Sequence, residues 1–332
     1  MIAEQGRSTS IDILKAVCAF LIVCIHVPFP GTVGEYFTTL TRAAVPIFFM
    51  ITGYFYSDTT AHNNEKQQMS KMFRFTLESN LLFLFCKLML KILEDGNITS
   101  YINSFFTPKI ILEALFLNES PFAGHLWYLN AILYTLIIVY WVDKFTCRKV
   151  LYFLTPFLLA CDLVFGKYSL LIWHREFPYI LVRNYLFVGI PYFCIGTIIR
   201  EKQYAKKWNK KTLQVLILMF AITSFVERFV LAYTGLNATR DHYISTTFLA
   251  ICLFTYALKS NWHNETLAVI GRKYSSWIYI VHPIFITAFA MITGKLGVKS
   301  IYSYVAPIVI YCTTLVFLFV VRNFKLLVTK KQ

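Results

Sequence analysis

The chain has 332 residues, of which 57% are hydrophobic, 17% aromatic and only 15% charged. A soluble domain typically carries about 25% charged residues, so this composition excludes a soluble globular protein. Apolar runs of about twenty residues recur from end to end, each long enough to cross a bilayer of about 30 Å. Because these runs are continuous and do not alternate at a period of two, they also argue against a transmembrane β-barrel.

The apolar runs predict an all-α, polytopic integral membrane protein with ten transmembrane helices, which form a single membrane-embedded domain over residues 1–332. The expected spans, in chain order, are 11–29, 42–57, 74–93, 124–142, 148–166, 180–200, 212–233, 243–259, 268–290 and 302–325. An even number of spans returns the C-terminus to the side on which the N-terminus lies.

The net charge of +15 would by itself suggest a nucleic-acid partner. Its distribution indicates otherwise, because most of the 32 lysines and arginines fall on one side of the predicted membrane, including the run REKQYAKKWNKK at 200–211. Cytoplasmic segments carry such an excess. We therefore expect both termini in the cytoplasm, membrane lipids as partners and no nucleic acid. The predicted localisation is the inner or plasma membrane of a bacterium, as a multi-pass protein.

The eight cysteines include no CxxC pair, and nearly all of them lie in apolar runs. They are therefore interpreted as small buried hydrophobic residues. Neither a disulfide framework nor a metal site is expected from their spacing.

Ionisable residues inside the spans mark candidate functional positions, because such groups are costly in a bilayer. In the inner half of the predicted bundle, Lys15 stands out with Asp12. The alternative for a single cation near a helix end is that it snorkels to the interface, and a lone histidine there is more often structural than catalytic. The outer half is richer in polar candidates, which are His26, Arg42, His125, Arg183, Glu227 and His282.

Lys15 and His26 lie on the first predicted span. At about 100° per residue they are rotated by roughly 1100°, which leaves about 20° after three full turns, so they share one helix face. At about 1.5 Å per residue they are roughly 16 Å apart along the axis. Asp12 precedes Lys15 by three residues and can pair with it. A slender ligand with an anionic head and a reactive tail spans this distance. Acyl coenzyme A, with its phosphorylated head, pantetheine arm and terminal thioester, has that shape.

The pair Lys15 and His26 resembles the Arg/Lys-x10-His signature of the membrane acyltransferase 3 family. Further stretches resemble motifs of that family and follow in the same order along nearly the whole chain. They are RAAVPIFFMITGYF (42–55), HLWYLNAILY (125–134), RNYLFVGIPYFCIG (183–196) and YSSWIYIVHP (274–283). The likeness is to the stand-alone branch that acetylates surface polysaccharides, and the membrane domain of the vancomycin-resistance serine racemase shows the same motifs.

The resemblance implies an integral membrane O-acyltransferase, and within the family an O-acetyltransferase. Cytoplasmic acyl-CoA, here acetyl-CoA, would donate the acyl group to a hydroxyl of a cell-surface glycan or a lipid-linked saccharide. His26 would take the hydroxyl proton, a role that suits an imidazole with an ordinary pKa of about 6.5. Lys15 would anchor the CoA phosphates. The candidates for orienting the acceptor or polarising the thioester carbonyl are Arg42, His125, Arg183 and His282.

The chain departs from the family pattern at two places. The cation is Lys15, whereas many members have arginine. Many members also carry a Trp-Ser-Leu-x-x-Glu stretch around the fourth span, and the corresponding LWYLNAIL (126–133) has no glutamate. If that carboxylate orients the base in those members, another must do so here, and Glu227 is the candidate.

Two other functions are compatible with the sequence. A transporter for a small polar amino acid such as serine could use Arg42 or Arg183 to bind a carboxylate. A transporter has no evident need for a cation one pantetheine length from a histidine, and no inverted repeat is visible, which disfavours it. A scaffold subunit of a polysaccharide exporter would tolerate mutation of the ionisable residues. The sequence does not identify the acceptor or the acyl chain. It also leaves open whether a covalent acyl-histidine forms and whether the protein is a homodimer.

Overall fold

The computed structural model describes residues 8–61, 63–94 and 97–329, with the backbone alone for 325–329. Within these ranges the chain is helical and contains no β-strand, which confirms the all-α prediction. A 3₁₀ turn, Gly124–Leu126, precedes α7, and one turn of π-helix, Tyr185–Gly189, precedes α11. The α-helices are α1 (Thr9–His26), α2 (Gly31–Thr41), α3 (Ala44–Ala61), α4 (Glu65–Leu93), α5 (Ile98–Ser104), α6 (Pro108–Leu117), α7 (Trp127–Phe145), α8 (Lys149–Phe165), α9 (Ser169–Trp173), α10 (Tyr179–Val182), α11 (Ile190–Glu201), α12 (Tyr204–Lys207), α13 (Lys210–Tyr233), α14 (Ile244–Lys259), α15 (Glu265–Lys273), α16 (Ser275–Lys295), α17 (Lys299–Ser303) and α18 (Ala306–Thr329).

Several helices support a membrane-spanning protein. Among the described residues, 6 helical stretches are long and apolar enough to cross a bilayer, and α14 is a shorter apolar helix. The count of ten spans and the cytoplasmic location of the termini stay predictions, and residues 1–7 and 330–332 lie outside the described residues. The long stretches are Thr9–His26, Gly124–Phe145, Tyr179–Glu201, Lys210–Tyr233, Ser275–Lys295 and Ala306–Phe324.

Single-cysteine labelling tests the predicted topology. We expect a membrane-impermeant maleimide to label Lys109→Cys in intact cells but Lys206→Cys only after permeabilisation, because the basic segments lie inside. Both positions are exposed, so labelling depends on the side of the membrane alone. The native cysteines must first be replaced, because the exposed Cys147 and Cys312 would also react with the maleimide. Labelling of Lys206→Cys in intact cells would contradict the topology.

The described helices group into two compact units that alternate along the chain. The first unit comprises Met1–Phe48, Tyr204–Leu231 and Tyr243–Gln332. The second unit comprises Phe49–Gln203 and Ala232–His242. The single domain over residues 1–332 stays a prediction.

In the first unit, α1 packs against α14, α15, α16 and α18. It is apolar on nearly all sides, as a helix surrounded by others must be. The backbones of α1 and α15 come very close at Gly271, where a Cβ would lie 1.7 Å from the carbonyl oxygen of Asp12 and 2.9 Å from the backbone nitrogen of Ala16. Only glycine lets two helix backbones come this near. The approach brings Arg272, the next residue, beside the start of α1.

In the second unit, α3 and α11 cross at two glycines. A Cβ at Gly53 would lie 2.0 Å from the carbonyl oxygen of Phe193, and one at Gly196 would lie 2.1 Å from that of Met50. Small residues on both faces are typical of closely packed membrane helices. The hydroxyl of Thr197 also donates to the carbonyl of Gly53 at 3.3 Å.

The sixth predicted span is interrupted near its start, between α10 and the π turn. Asn184 holds this break, because its Oδ1 accepts from the backbone N–H groups of Leu186 at 2.9 Å and Phe187 at 3.0 Å. Asn118 supplies a second acceptor, for the N–H of Tyr185 at 2.8 Å. Irregular backbone at membrane depth requires such partners. These hydrogen bonds stabilise the break, which leaves Arg183 outside regular helix.

Two predicted loops contain helices. The segment between the first two predicted spans forms α2, and the predicted outer loop over 94–123 forms α5 and α6 outside its undescribed residues, 95–96. The start of α6 follows from local signals. Pro108 occupies the first turn, and the Thr107 hydroxyl accepts from the N–H of Ile110 at 3.4 Å.

Candidate functional site

His26 is the last residue of α1, and its exposed imidazole lies beside the buried imidazole of His282 on α16. The ring centroids are 5.1 Å apart, and the ring planes are tilted by 42°. The Nδ1 atom of His282 is 2.9 Å from the carbonyl oxygen of Ile278. Because a carbonyl oxygen only accepts, this Nδ1 carries a proton, and a neutral His282 keeps Nε2 as an acceptor. The structure thus brings two of the predicted site residues together.

The residue after His282 is a proline. Pro283 lies inside α16. A proline in a helix interior cannot donate to the carbonyl four residues earlier, and it bends the helix. The carbonyl concerned is that of Tyr279, so the contact between His282 and Ile278 does not depend on the missing donor.

Lys15 lies on α1 three turns before His26, as predicted. Its Nζ is 3.4 Å from Oδ1 of Asp12, whose side chain is only 3% exposed. Arg272 on α15 approaches the other oxygen of the same carboxylate, with Nε 3.9 Å from Oδ2, and also pairs with Glu265 at 2.6 Å. One buried carboxylate therefore holds two cations at this end of α1. Spacing along the sequence did not point to Arg272, because its proximity depends on helix packing.

Arg42 and Glu227 are the other candidates of the first unit. Arg42 is half-buried and directly follows α2. Glu227 on α13 accepts from the backbone N–H groups of Ile244 at 3.2 Å and Ser245 at 3.1 Å, and from the Ser245 hydroxyl. A carboxylate in this position caps the helix start and interacts favourably with its dipole. Glu227 thus caps α14, while its support of a base stays a prediction.

His125 and Arg183 belong to the second unit. His125 lies in the 3₁₀ turn before α7, with its ring centroid 4.7 Å from that of Phe83. Arg183 lies at the helix break, where its guanidinium carbon is 4.2 Å from the ring centroid of Tyr179 and 5.1 Å from that of Trp127. Two aromatic rings thus hold the guanidinium. The Nε atom of Arg183 is buried and has no hydrogen-bond partner in the described part of the chain.

Glu119 is a second-unit residue that sequence reasoning missed. A Cβ at Gly124 would lie 3.5 Å from its Oε1, so the carboxylate sits over the turn that carries His125. Its Oε2 is buried, with no hydrogen-bond partner within residues 8–61, 63–94 and 97–329. Burial raises the pKa of Glu119 more than the nearby positive charge of Arg183 lowers it. The available signal was an acidic residue just before the HLWYLNAILY motif, but it lies outside any periodic pattern.

Glu119→Gln is expected to stabilise the protein at neutral pH and to have little effect near pH 4. A carboxyl with a raised pKa binds more protons in the folded state, so its contribution is present at low pH and is lost as the pH rises through the raised pKa. Glutamine carries no charge to desolvate. Thermal unfolding in detergent at about pH 4 and pH 7.5, on either side of the ordinary glutamate pKa of about 4.3, measures the difference. Glu94→Gln, at an exposed position, is the control, and a destabilised Glu119→Gln at neutral pH would overturn the argument.

The second unit also holds a buried carboxylate–imidazole pair that carries no predicted role. The Nδ1 atom of His242 is 2.8 Å from Oδ2 of Asp162 on α8, and the two side chains are 5% and 7% exposed. The ring of Tyr192 lies 5.7 Å from the imidazole. Such a pair fixes the orientation of the imidazole. It ties α8 to the segment before α14.

The first unit combines two chemical capabilities on one helix. An imidazole at one end of α1 can transfer a proton. Two cations around a shared carboxylate at the other end can bind an anion. In the described ranges, no three side chains of His, Cys, Asp or Glu converge in a way that could hold a metal ion.

Comparisons with known proteins agree with the sequence motifs. A family profile described as an acyltransferase domain matches residues 8–321. The chain is 24% identical over 308 residues to a "Serine/alanine racemase" of Enterococcus gallinarum, which covers 88% of this chain and 43% of that protein. It is 25% identical over 305 residues to an "Amino-acid racemase" of Enterococcus faecalis, with 85% and 41% covered. The chain thus spans less than half the length of these curated relatives. No solved structure matches it significantly.

Proposed function

The chain belongs to this acyltransferase family, and from that premise we propose that it is an integral membrane O-acyltransferase of the bacterial inner or plasma membrane. It moves an acyl group, in particular acetyl, from cytoplasmic acyl-CoA to a hydroxyl of an extracytoplasmic glycan or of its lipid-linked precursor. One observation carries the proposal. A single helix, α1, presents an exposed imidazole at His26 and a cation at Lys15, separated by roughly 16 Å along the axis.

Lys15 and Arg272 form the proposed anchor for the phosphates of acyl-CoA. Both side chains are 22% exposed, so their ends can reach a ligand while Asp12 holds them in place. The buried Nε atom of Arg272 lies 3.9 Å from Oδ2 of Asp12, so the partly exposed remainder of the side chain is the part that a phosphate can contact. Charge-assisted bonds from arginine and lysine are the strong interactions that phosphate recognition uses.

His26 is the proposed base at the other end of α1. It takes the proton of the acceptor hydroxyl while the hydroxyl oxygen attacks the thioester carbonyl carbon. The carbon–sulfur bond then breaks, CoA leaves as a thiolate, and the imidazolium returns the proton to the sulfur. His282 is the candidate for positioning His26, because its ring centroid lies 5.1 Å from that of His26. Arg42, in the same unit as His26, is the candidate for polarising the carbonyl. The roles of His125 and Arg183, which lie in the second unit, stay predictions from the resemblance.

Turnover of acetyl-CoA by the purified protein tests this function. In liposomes with acetyl-CoA labelled in its acetyl group, we expect saturable binding and slow hydrolysis, because water can replace the missing acceptor. Addition of a suitable hydroxylated acceptor should then divert label from acetate to an ester. The absence of both binding and hydrolysis would contradict the proposed function.

A second candidate function is transport of a small polar amino acid such as serine, because amino acids are the substrate class that the names of the two relatives share. Both names describe racemases that act on amino acids. The match covers less than half of each protein, so racemisation itself is not transferred to this chain. In a transporter, Arg42 or Arg183 would bind the carboxylate of the amino acid. Uptake of labelled serine into proteoliposomes, without any acetyl-CoA binding, would favour this alternative.

A further inference from the structure

A short basic segment joins two of the stretches that can cross a bilayer. These stretches are Tyr179–Glu201 and Lys210–Tyr233, and residues 202–209 alone separate them. Even a fully extended segment of this length reaches no more than about 30 Å, and both of its ends are tied to spans. The segment therefore lies at the surface of the membrane, whichever side of the membrane that is.

Four lysines in and just after this segment form what we call the basic surface. They are Lys206, Lys207, Lys210 and Lys211, and all four are exposed. None of them pairs with a carboxylate in the part of the chain that the structure describes. The sequence explains this, because it contains no aspartate or glutamate from 202 to 226.

The nearest acid in the sequence does not neutralise the basic surface. Glu201 accepts a hydrogen bond from the hydroxyl of Tyr152 at 2.7 Å and lies 3.7 Å from a guanidinium nitrogen of Arg148. Exposed cations elsewhere do have acidic partners on their own helices, as Arg74 has in Glu78. Four like charges within six residues repel one another, so the basic surface favours an anionic partner from outside the chain.

Contacts with α14 fix the basic surface within the first unit. The Nζ atom of Lys259 donates to the carbonyl oxygens of Ala205 at 3.3 Å and Lys206 at 3.4 Å, which adds a fifth cation behind the surface. The Nζ atom of Lys210 lies 5.4 Å from the ring centroid of Tyr256. All of these residues belong to the first unit. The lysines are therefore held on a packed framework.

Two exposed aromatic side chains accompany the lysines. Tyr204 is 38% exposed and Trp208 is 40% exposed. The Nζ atom of Lys207 lies 5.5 Å from the ring centroid of Tyr204. Tyrosine and tryptophan concentrate at the boundary between membrane and water, because each has an apolar ring and a polar group. The basic surface thus combines positive charge with side chains suited to the headgroup level of a bilayer.

We propose that the basic surface binds the headgroup phosphates of anionic phospholipids. Lysine is a point charge that suits phosphate, and clusters of four to eight cations beside a span are typical of such binding. The charge excess that orients a membrane protein requires cations in number, but it does not require them to be unpaired or held against a neighbouring helix. This inference goes beyond the proposed function and does not depend on acyl transfer.

Native mass spectrometry of the full chain in a neutral detergent tests the proposal. Phosphatidylglycerol and phosphatidylcholine with identical acyl chains compete for the protein, so that the two lipids differ in the headgroup alone. We expect the wild type to retain phosphatidylglycerol in preference by about tenfold or more, and Lys206→Gln/Lys211→Gln to lose about tenfold of that preference. This variant leaves the ring contacts of Lys207 and Lys210 in place.

Two further variants separate charge at this surface from total charge and from misfolding. Lys295→Gln/Lys299→Gln removes the same number of charges from exposed positions of the first unit and should keep the wild-type preference. Lys206→Arg/Lys211→Arg keeps the charge and should also keep it. Equal preference in the wild type and in Lys206→Gln/Lys211→Gln would overturn the proposal.

Glycerol 3-phosphate distinguishes a lipid headgroup from a free phosphate. At matched ionic strength we expect it to leave the retained phosphatidylglycerol unchanged, because it has no acyl chains to place it at the membrane surface. Displacement of the lipid by glycerol 3-phosphate would show a site for soluble phosphates and would overturn the assignment to phospholipid. Higher salt should reduce the preference in the wild type more than in Lys206→Gln/Lys211→Gln, because salt screens charge contacts.

Discussion

His26→Ala abolishes acyl transfer while acetyl-CoA still binds: this is the result we expect from the position of the imidazole. Loss of a general base typically lowers the rate by about 10²–10⁴-fold. His26 is exposed at the end of α1, so its removal leaves the packed part of that helix intact. Acetyl-CoA affinity should stay close to wild type, because the proposed phosphate anchor is roughly 16 Å away. Transfer of labelled acetyl and calorimetry of acetyl-CoA binding measure the two effects.

The chain offers a matched control for this variant. His263 is exposed in the segment between α14 and α15, away from the proposed base. His263→Ala should retain wild-type turnover and wild-type affinity. If His26→Ala turned over acetyl-CoA and acceptor at the wild-type rate, His26 would not be the base, and the mechanism proposed here would be wrong.

Lys15→Gln is expected to weaken acetyl-CoA binding by about tenfold or more, and Lys15→Arg to retain most of it. A hydrogen bond to a charged group contributes about 1.5–3 kcal/mol, which exceeds the value of an exposed ion pair. Arginine keeps the charge and offers a planar fork of donors to a phosphate, whereas glutamine keeps only the approximate length. Higher ionic strength should weaken binding by the wild type and by Lys15→Arg, because salt screens the phosphate contacts. Calorimetry at two salt concentrations measures these affinities.

Lys91→Gln is the matched control for Lys15→Gln. Lys91 is 3.4 Å from Glu94, the same distance and the same three-residue spacing as in the pair of Lys15 with Asp12, with the order of lysine and acid reversed. This pair lies in the second unit. Its loss should leave acetyl-CoA affinity unchanged. Equal acetyl-CoA affinity in wild type, Lys15→Gln and Lys15→Arg would show that Lys15 does not bind the phosphates. Its side chain would then only extend to the membrane interface. The same result combined with uptake of labelled serine would favour the transporter.

The sequence by itself determined the features that depend on local geometry or on composition. Long apolar runs predicted an all-helical membrane protein, because only a continuous apolar segment can cross a bilayer as a helix. The relation of Lys15 to His26 followed from helix periodicity, since both lie on one uninterrupted helix. The family was also predicted from motifs in their order along the chain, and the profile match over residues 8–321 confirms it.

Only the tertiary structure decided which distant residues meet. Arg272 reaches Asp12 because Gly271 lets two helix backbones come into contact, and His282 reaches His26 because α16 packs on α1. The burial of Oε2 of Glu119 was likewise visible only in the folded structure. Periodicity describes the direction of side chains on one helix, but the pairing of helices depends on the fit of small and large side chains far apart in the sequence. That fit is a property of the packed structure, and the candidate site of this protein depends on it.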